Sequence, residues 1–231
     1  MSHMHAWPTT LEEAQAIQQQ LRTQVITHDD FGQVRTIAGV DAGYEGDPQA
    51  GQAIARAAVV VLSYPSLEPL DYVVARRPAP IPYIPGFLSF REAPAVLAAL
   101  EELRVRPDLL ICDGQGIAHP RRMGIATHVG LLSGIPSIGC AKSLLVGHHA
   151  PVPDERGAYV PLTYRGEQVG VALRTRVGVK PVYISVGHRI SLPSAIEFVM
   201  SCVTKYRLPE TTRAADGLAS HGKIPRVEGK K

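Results

Sequence analysis

The stretch Leu109–Gly124, LLICDGQGIAHPRRMG, decides how the rest of the chain is read. Leu109, Leu110, Ile111 and Cys112 form an apolar run of strand length that stops at Asp113. Side chains alternate along a strand, so Asp113 shares a face with Leu109 and Ile111. A carboxylate at the carboxyl end of a buried strand stands where open α/β sheets place their ligands. Gly114 and Gly116 leave the backbone bare to a planar or phosphorylated ligand. His119 adds a group that titrates near neutral pH, and Arg121 and Arg122 add fixed positive charge. This grouping suits a site that holds a metal against a phosphate. The plainer alternative is a buried strand ending in an Asp-Gly turn.

Working outward, 231 residues with net charge +3 suit one large domain or two small ones with a substantial core. The chain contains no apolar run of membrane-spanning length and no signal-peptide pattern. Three widely spaced cysteines, Cys112, Cys140 and Cys202, make no zinc motif and read as buried thiols of a cytoplasmic protein. The mild charge permits a nucleic-acid partner without arguing for one.

The head MSHMHAWP is set aside as a cloning remnant or disordered segment. Thr10 and Glu13 make a capping box that opens an amphipathic helix running to about His28. Strands are expected over Thr36–Gly43, Ala53–Ser63 and Leu70–Ala75, joined as antiparallel hairpins. Arg76–Gly86 is crowded with prolines, and a helix is expected from Pro94 to Leu103. After the central stretch come a helix over Gly124–Ser133, a strand over Pro136–Cys140 and a hairpin of Tyr159–Tyr164 with Gln168–Arg174. A strand over Val182–Val186 and a helix over Ser191–Tyr206 follow. From Pro209 the chain reads as a polar tail, with residues 218–231 outside the core. One α/β domain over 1–231 results, a mixed sheet with helices on both faces.

Asp41 closes the strand IAGVD, Glu92 directly precedes the helix expected at Pro94, and Asp113 closes the central strand. If the strands of Asp41 and Asp113 are neighbours, three carboxylates gather that only cations can neutralise. Divalent Mg²⁺ ions about 4 Å apart would then grip a phosphodiester. Taken singly, each acid is a turn or cap residue. Lys142, at the end of another apolar strand, can place positive charge on a phosphate or serve as a solvated surface group. Pro82-Tyr83-Ile84-Pro85-Gly86 is stiff, so Tyr83 either wedges between bases or tucks into the core. The residues alone leave the role of His188 open.

With these residues assembled, the sequence resembles the endonuclease V family of deoxyinosine-directed nucleases. The likeness runs from Ile37 to Asp216 through IAGVDAGY, PYIPGFLSFREAP, DLLICDGQGIAHPRRMGIATHVG, GCAKSLL, GEQVGVALRTR, GHRISLPSA and LPETTRAAD. The resemblance implies an RNase H-like fold and an endonuclease that cuts the second phosphodiester 3′ to deoxyinosine. Asp41, Glu92, Asp113 and Asp216 would hold Mg²⁺, for which Mn²⁺ can substitute, and Lys142 would be the active-site lysine. Tyr83 would be the strand-separating wedge. Ile84, Pro85, Gly86, Leu88, Gly114, Gly116 and His119 would contact the extruded base. Expected partners are deoxyinosine-containing DNA and, as a rival substrate, inosine-containing RNA. The protein is expected to be a monomer. The rival readings are an RNase H-like nuclease for that RNA or for branched DNA, and a lesion-binding module without catalysis.

Overall fold

The computed structural model describes residues 5–46, 53–79 and 84–226. The expected Glu45–Gln49 turn lies partly outside these residues, and Tyr83 lies wholly outside them. The strands β1 (Thr36–Glu45), β2 (Ile54–Ser63), β3 (Pro69–Pro78), β4 (Leu109–Cys112), β5 (Ser137–Ala141), β6 (Tyr159–Tyr164), β7 (Glu167–Leu173) and β8 (Val182–His188) form one sheet. Its order is β3-β2-β1-β4-β5-β8-β7-β6. The β1–β4 and β4–β5 pairs are parallel and the remainder antiparallel. The sheet is therefore mixed, as the sequence leads one to expect.

Both faces are covered. Val40, Val59, Val61, Leu110 and Cys112 pack under α2 (Leu88–Glu102) and α3 (Ile125–Ser133). Ile37, Val60, Leu109, Ile111 and Ile184 pack on the other side under α4 (Leu192–Ser201) and α5 (Glu210–His221). This double burial explains why β2 and β4 are near-continuous apolar runs rather than alternating ones. Each fully buried Leu or Ile contributes about 1.5–3 kcal/mol relative to exposure.

The helix α1 (Leu11–Leu21) begins at the expected capping box, Thr10 with Glu13, and is followed by a 3-10 turn over Arg22–Gln24. Helices α1 and α4 stop at Leu21 and Ser201, short of the expected ends at about His28 and at Tyr206, and three larger features differ from the sequence reading. First, α2 starts at Leu88 and carries Pro94 inside it. Fully buried Phe90, Ala93, Val96 and Ala99 hold the helix through a proline that sacrifices one backbone bond. Glu92 consequently lies within the helix rather than ahead of it, beyond the first turn where the dipole acts most strongly. Second, the supposed tail is the helix α5. Its buried residues are Thr211, Thr212, Ala215, Leu218 and Ala219, on β1. A Cβ at Gly39 would fall 1.9 Å from the Thr211 carbonyl oxygen, so only glycine lets α5 settle there. Third, the head is not wholly apart. His5 and Trp7 stack against His128, with His5 also edge-on to Phe90.

Among the described residues, no helix is long and apolar enough to cross a membrane. The three cysteines are free and buried.

Candidate active site

The parallel pairing of β1 with β4 sets Val40 beside Cys112, and the Asp113 N–H donates to the Val40 carbonyl at 2.8 Å. This register puts Asp41 and Asp113 side by side where β4 ends, while β1 runs on past Asp41 to Glu45 against β2. Asp216 reaches the same point from α5. One carboxylate oxygen from each of the three lies within 4.8 Å of the others. Lys142 follows β5, the next parallel strand, and its Nζ contacts Asp113 Oδ2 at 2.6 Å and Asp216 Oδ1 at 3.2 Å.

Like charges in a half-buried place resist ionisation. Burial and then the neighbouring Asp113 push the Asp41 carboxyl up to about 7. Burial raises Asp113 as well, with Lys142 opposing. Lys142 is itself partly buried, which disfavours its charge, yet the bond to Asp113 carries it above the ordinary lysine value. The donor set is all oxygen, carries excess negative charge and spans the width of a hard cation. Those are the requirements of Mg²⁺ or Mn²⁺, and the residues fit.

Glu92 is nearby but is not one of that trio. It is buried on α2, and its Oε1 accepts from the Tyr44 hydroxyl at 3.1 Å. Burial pushes it up to about 8; the Tyr44 bond opposes, and the charges of Asp41 and Asp113 add to the rise.

Beside the acids opens a cavity of about 440 Å³, lined by Asp41, Glu92 and Asp113 together with Pro85, Gly86, Leu88, Ser89, Gly114 and His119. His119 Nδ1 accepts the backbone N–H groups of Arg121 (3.2 Å) and Met123 (3.4 Å), leaving the ring proton on Nε2. Burial, then the Arg121 charge, lowers this histidine to about 4, so it is neutral at physiological pH.

Several expected residues stand elsewhere. Gly116 does not line the cavity. A Cβ there would lie 2.0 Å from the Val186 carbonyl, and its N–H donates to Ser185 Oγ at 2.8 Å, so its place is packing under β8. Ile84 is half-buried against Ala14, Phe87 and Phe90. Arg121 and Arg122 do not face the acids. Arg121 bonds Gln18 and the Gly86 carbonyl and lies over the Phe87 ring, which ties the loop before α2 to α1. Arg122 pairs with Glu167 at 2.7 Å. His188 is buried, accepts from the Ile26 N–H at 3.3 Å and joins the sheet to the α1–β1 link.

Two neighbours of the site escaped the sequence reading. Tyr44 holds Glu92, and its even position on β1, opposite in face to Asp41, is the one signal that could have pointed to it. Arg207 donates to the Lys142 carbonyl at 2.7 Å and to the Pro181 carbonyl at 3.0 Å. A single arginine after a helix offers no sequence signal for that role.

Comparison with known proteins places this geometry among relatives. A family model described as Endonuclease V matches residues 19–217. The endonuclease V of Roseiflexus sp. is 68% identical over 220 residues, 95% of this chain and 96% of that one. The crystal structure of the endonuclease V from Streptomyces avermitilis is similar with a TM-score of 0.88 at 43% identity, covering 94% of each chain. The Ciona intestinalis endonuclease V, solved in complex with a 24mer DNA containing an inosine followed by a ribo-adenosine, gives a TM-score of 0.74 at 28% identity. That likeness covers 90% of this chain and 95% of that one. The mixed sheet with helices on both faces is thus an RNase H-like α/β fold.

Proposed function

The chain belongs to the endonuclease V family, and from that membership we propose that it is a divalent-cation-dependent nuclease specific for deoxyinosine in DNA. It hydrolyses the second phosphodiester on the 3′ side of the lesion, leaving 3′-hydroxyl and 5′-phosphate ends. The observation that carries this reading is the convergence of Asp41, Asp113 and Asp216 within 4.8 Å, two of them lining a cavity of about 440 Å³ that has room for a purine.

Asp41, Asp113 and Asp216 would hold Mg²⁺, or Mn²⁺ in its place, with Glu92 beside them as a further carboxylate that added positive charge would help to ionise. When bound, the cation supplies charge that polarises the attacking water and the scissile phosphate. Lys142, already touching two of the acids, donates to a phosphate oxygen and offsets the charge that builds there. Asp113 keeps that ammonium aimed at the site.

Recognition falls to the remaining lining of the cavity. The extruded hypoxanthine presents a carbonyl acceptor at position 6 and an N–H donor at position 1. The side-chain-free backbone at Gly114, where a Cβ would meet Ile125 at 2.6 Å, and the loop at Pro85, Gly86 and Leu88 take the ring edge-on, and neutral His119 backs that wall. Adenine reverses the pair and leaves a buried polar group unmatched, which costs about 1–3 kcal/mol. Extrusion costs least at a mispaired base such as inosine. Tyr83 fills the gap that the base leaves in the stack. The inosine-bearing DNA held by the Ciona relative supports this class of substrate.

The test is cleavage of end-labelled oligonucleotides, inosine-containing against undamaged, as DNA and as RNA, with Mg²⁺ and with chelator. Cation-dependent cutting between the first and second nucleotides 3′ to inosine, with 3′-hydroxyl ends, is expected. Equal cutting of undamaged DNA, or cutting in chelator, overturns the proposal. Preference for the RNA substrates would move the reading to inosine-containing RNA.

A further inference from the structure

A chain of three side chains runs from the amino-terminal segment to the cavity wall. His5 Nδ1 lies 2.7 Å from the Ala6 carbonyl oxygen. His5 Nε2 lies 2.9 Å from His128 Nε2, and His128 Nδ1 lies 3.1 Å from Ser89 Oγ. Ser89 is the second residue of α2, is 3% exposed and lines the cavity between Leu88 and Glu92.

The proton positions in this chain follow one from another. A carbonyl only accepts, so His5 Nδ1 carries the proton it donates to Ala6. When His5 carries that one proton only, its other nitrogen is a bare acceptor and His128 Nε2 is the donor of the shared bond. His128 is fully buried on α3, and burial lowers it to about 3, so it holds one proton only. That proton is on Nε2, which leaves Nδ1 as an acceptor, and the Ser89 hydroxyl donates to it. Its one hydrogen thus committed, Ser89 Oγ has only lone pairs left for the cavity. A free serine rotates its hydrogen to suit either partner. This one cannot do so without disturbing the whole row.

Resting on the proposed deoxyinosine reading, we propose that Ser89 is a specificity-determining residue. Its oxygen, held acceptor-only by His128 and His5, receives the N–H donor edge of the extruded base and rejects bases that present a lone pair there. Hypoxanthine carries a hydrogen at N1 and adenine does not, so the same oxygen attracts one and repels the other. The orientation originates outside the cavity, in a segment that touches neither the acids nor the base.

The experiment measures binding of the full chain to two duplexes at pH 8 with divalent ions chelated, one carrying inosine and one carrying unsubstituted purine, which lacks the N1 hydrogen. Ser89→Ala is expected to weaken inosine binding about fivefold, as for a neutral hydrogen bond, and to strengthen binding of the purine duplex by relieving the lone-pair repulsion. His5→Ala, which leaves every cavity atom in place, is expected to weaken inosine binding about twofold to threefold and to narrow the gap between the duplexes. It also keeps the test open if Ser89→Ala fails to fold. Equal losses on both duplexes, or no loss in either variant while the wild-type protein prefers inosine, overturn this inference and leave the proposed function intact. Absence of any inosine preference in the wild-type protein overturns both.

Discussion

Two groups of residues around the central cavity are built on opposite electrostatic terms. In one, Asp41, Asp113 and Asp216 crowd negative charge, with Lys142 as their counterion among the described residues. In the other, His119 is held neutral by burial, and its Nδ1 accepts backbone N–H groups. On the proposed function, the acids take up the cation and the neutral group takes up the base. The difference teaches that cutting and recognition are separable here, although the residues share one wall.

The largest test of that separation is Asp113→Ala. Loss of a carboxylate that anchors both the cation and Lys142 should lower single-turnover cleavage by roughly a thousandfold or more, in the range of removing a key electrostatic group. Affinity for inosine DNA should stay within severalfold of wild-type and rise when divalent ions are absent. Near-normal turnover would show that the acids are not the cutting group.

Exchanging Mg²⁺ for Ca²⁺ probes the same group without mutation. Ca²⁺ is larger and accepts looser geometry, so binding should persist while cleavage falls by about a hundredfold. Comparable rates in the two ions would argue against closely aligned acids.

Tyr83→Ala addresses recognition instead. Base–aromatic stacking is worth about 1–3 kcal/mol, so affinity for inosine duplexes should fall by roughly one to two powers of ten. Single-stranded inosine substrates should lose less, and the saturated single-turnover rate should hold. A collapse of the chemical step with unchanged affinity would join the two groups after all.

The smallest effect is on stability, and here the two groups oppose each other. Asp41 is raised from the ordinary 3.8 to about 7, so its contribution is fully present below pH 3.8 and is lost as pH climbs through 7. His119 is lowered from 6.5 to about 4, so its contribution is present above 6.5 and is lost as pH falls through 4. Each amounts to something on the order of 2 kcal/mol after screening. Thermal melts in chelator should therefore show Asp41→Asn flattening the neutral-side decline and His119→Asn flattening the acid-side one. Profiles parallel to wild-type in both variants would remove the electrostatic contrast.

Much of this was legible in the sequence where apolar runs end in acids. That IAGVD and LLICD are strands follows from apolar runs bounded by turns, while their adjacency entered the sequence reading only as a condition and is supplied by the β1–β4 pairing. The Thr10–Glu13 cap and the α3 and β8 segments were equally plain. Helix α5 was not, because it buries Thr211, Thr212 and Ala215 rather than Leu or Val, and small residues leave no apolar stripe. The signal lay elsewhere, in a glycine at position 39 of an otherwise bulky strand. Asp216 was accordingly found by family likeness alone. The roles of Arg121, Arg122 and Gly116 were misjudged for the complementary reason. Sequence shows which groups are present but not which partners, such as Glu167, Gln18 or the Val186 carbonyl, have already claimed them.

The docking of α5 over Gly39 has a bearing on how the protein is made. A ribosome releases Asp41 and Asp113 early and Glu210–His221 among the last residues, so the third acid arrives only after the sheet and the cavity have been synthesised. A nascent chain, or a product cut short before Glu210, carries two of the three acids of the trio. On the proposed function, such a copy would have a cation site short of one carboxylate.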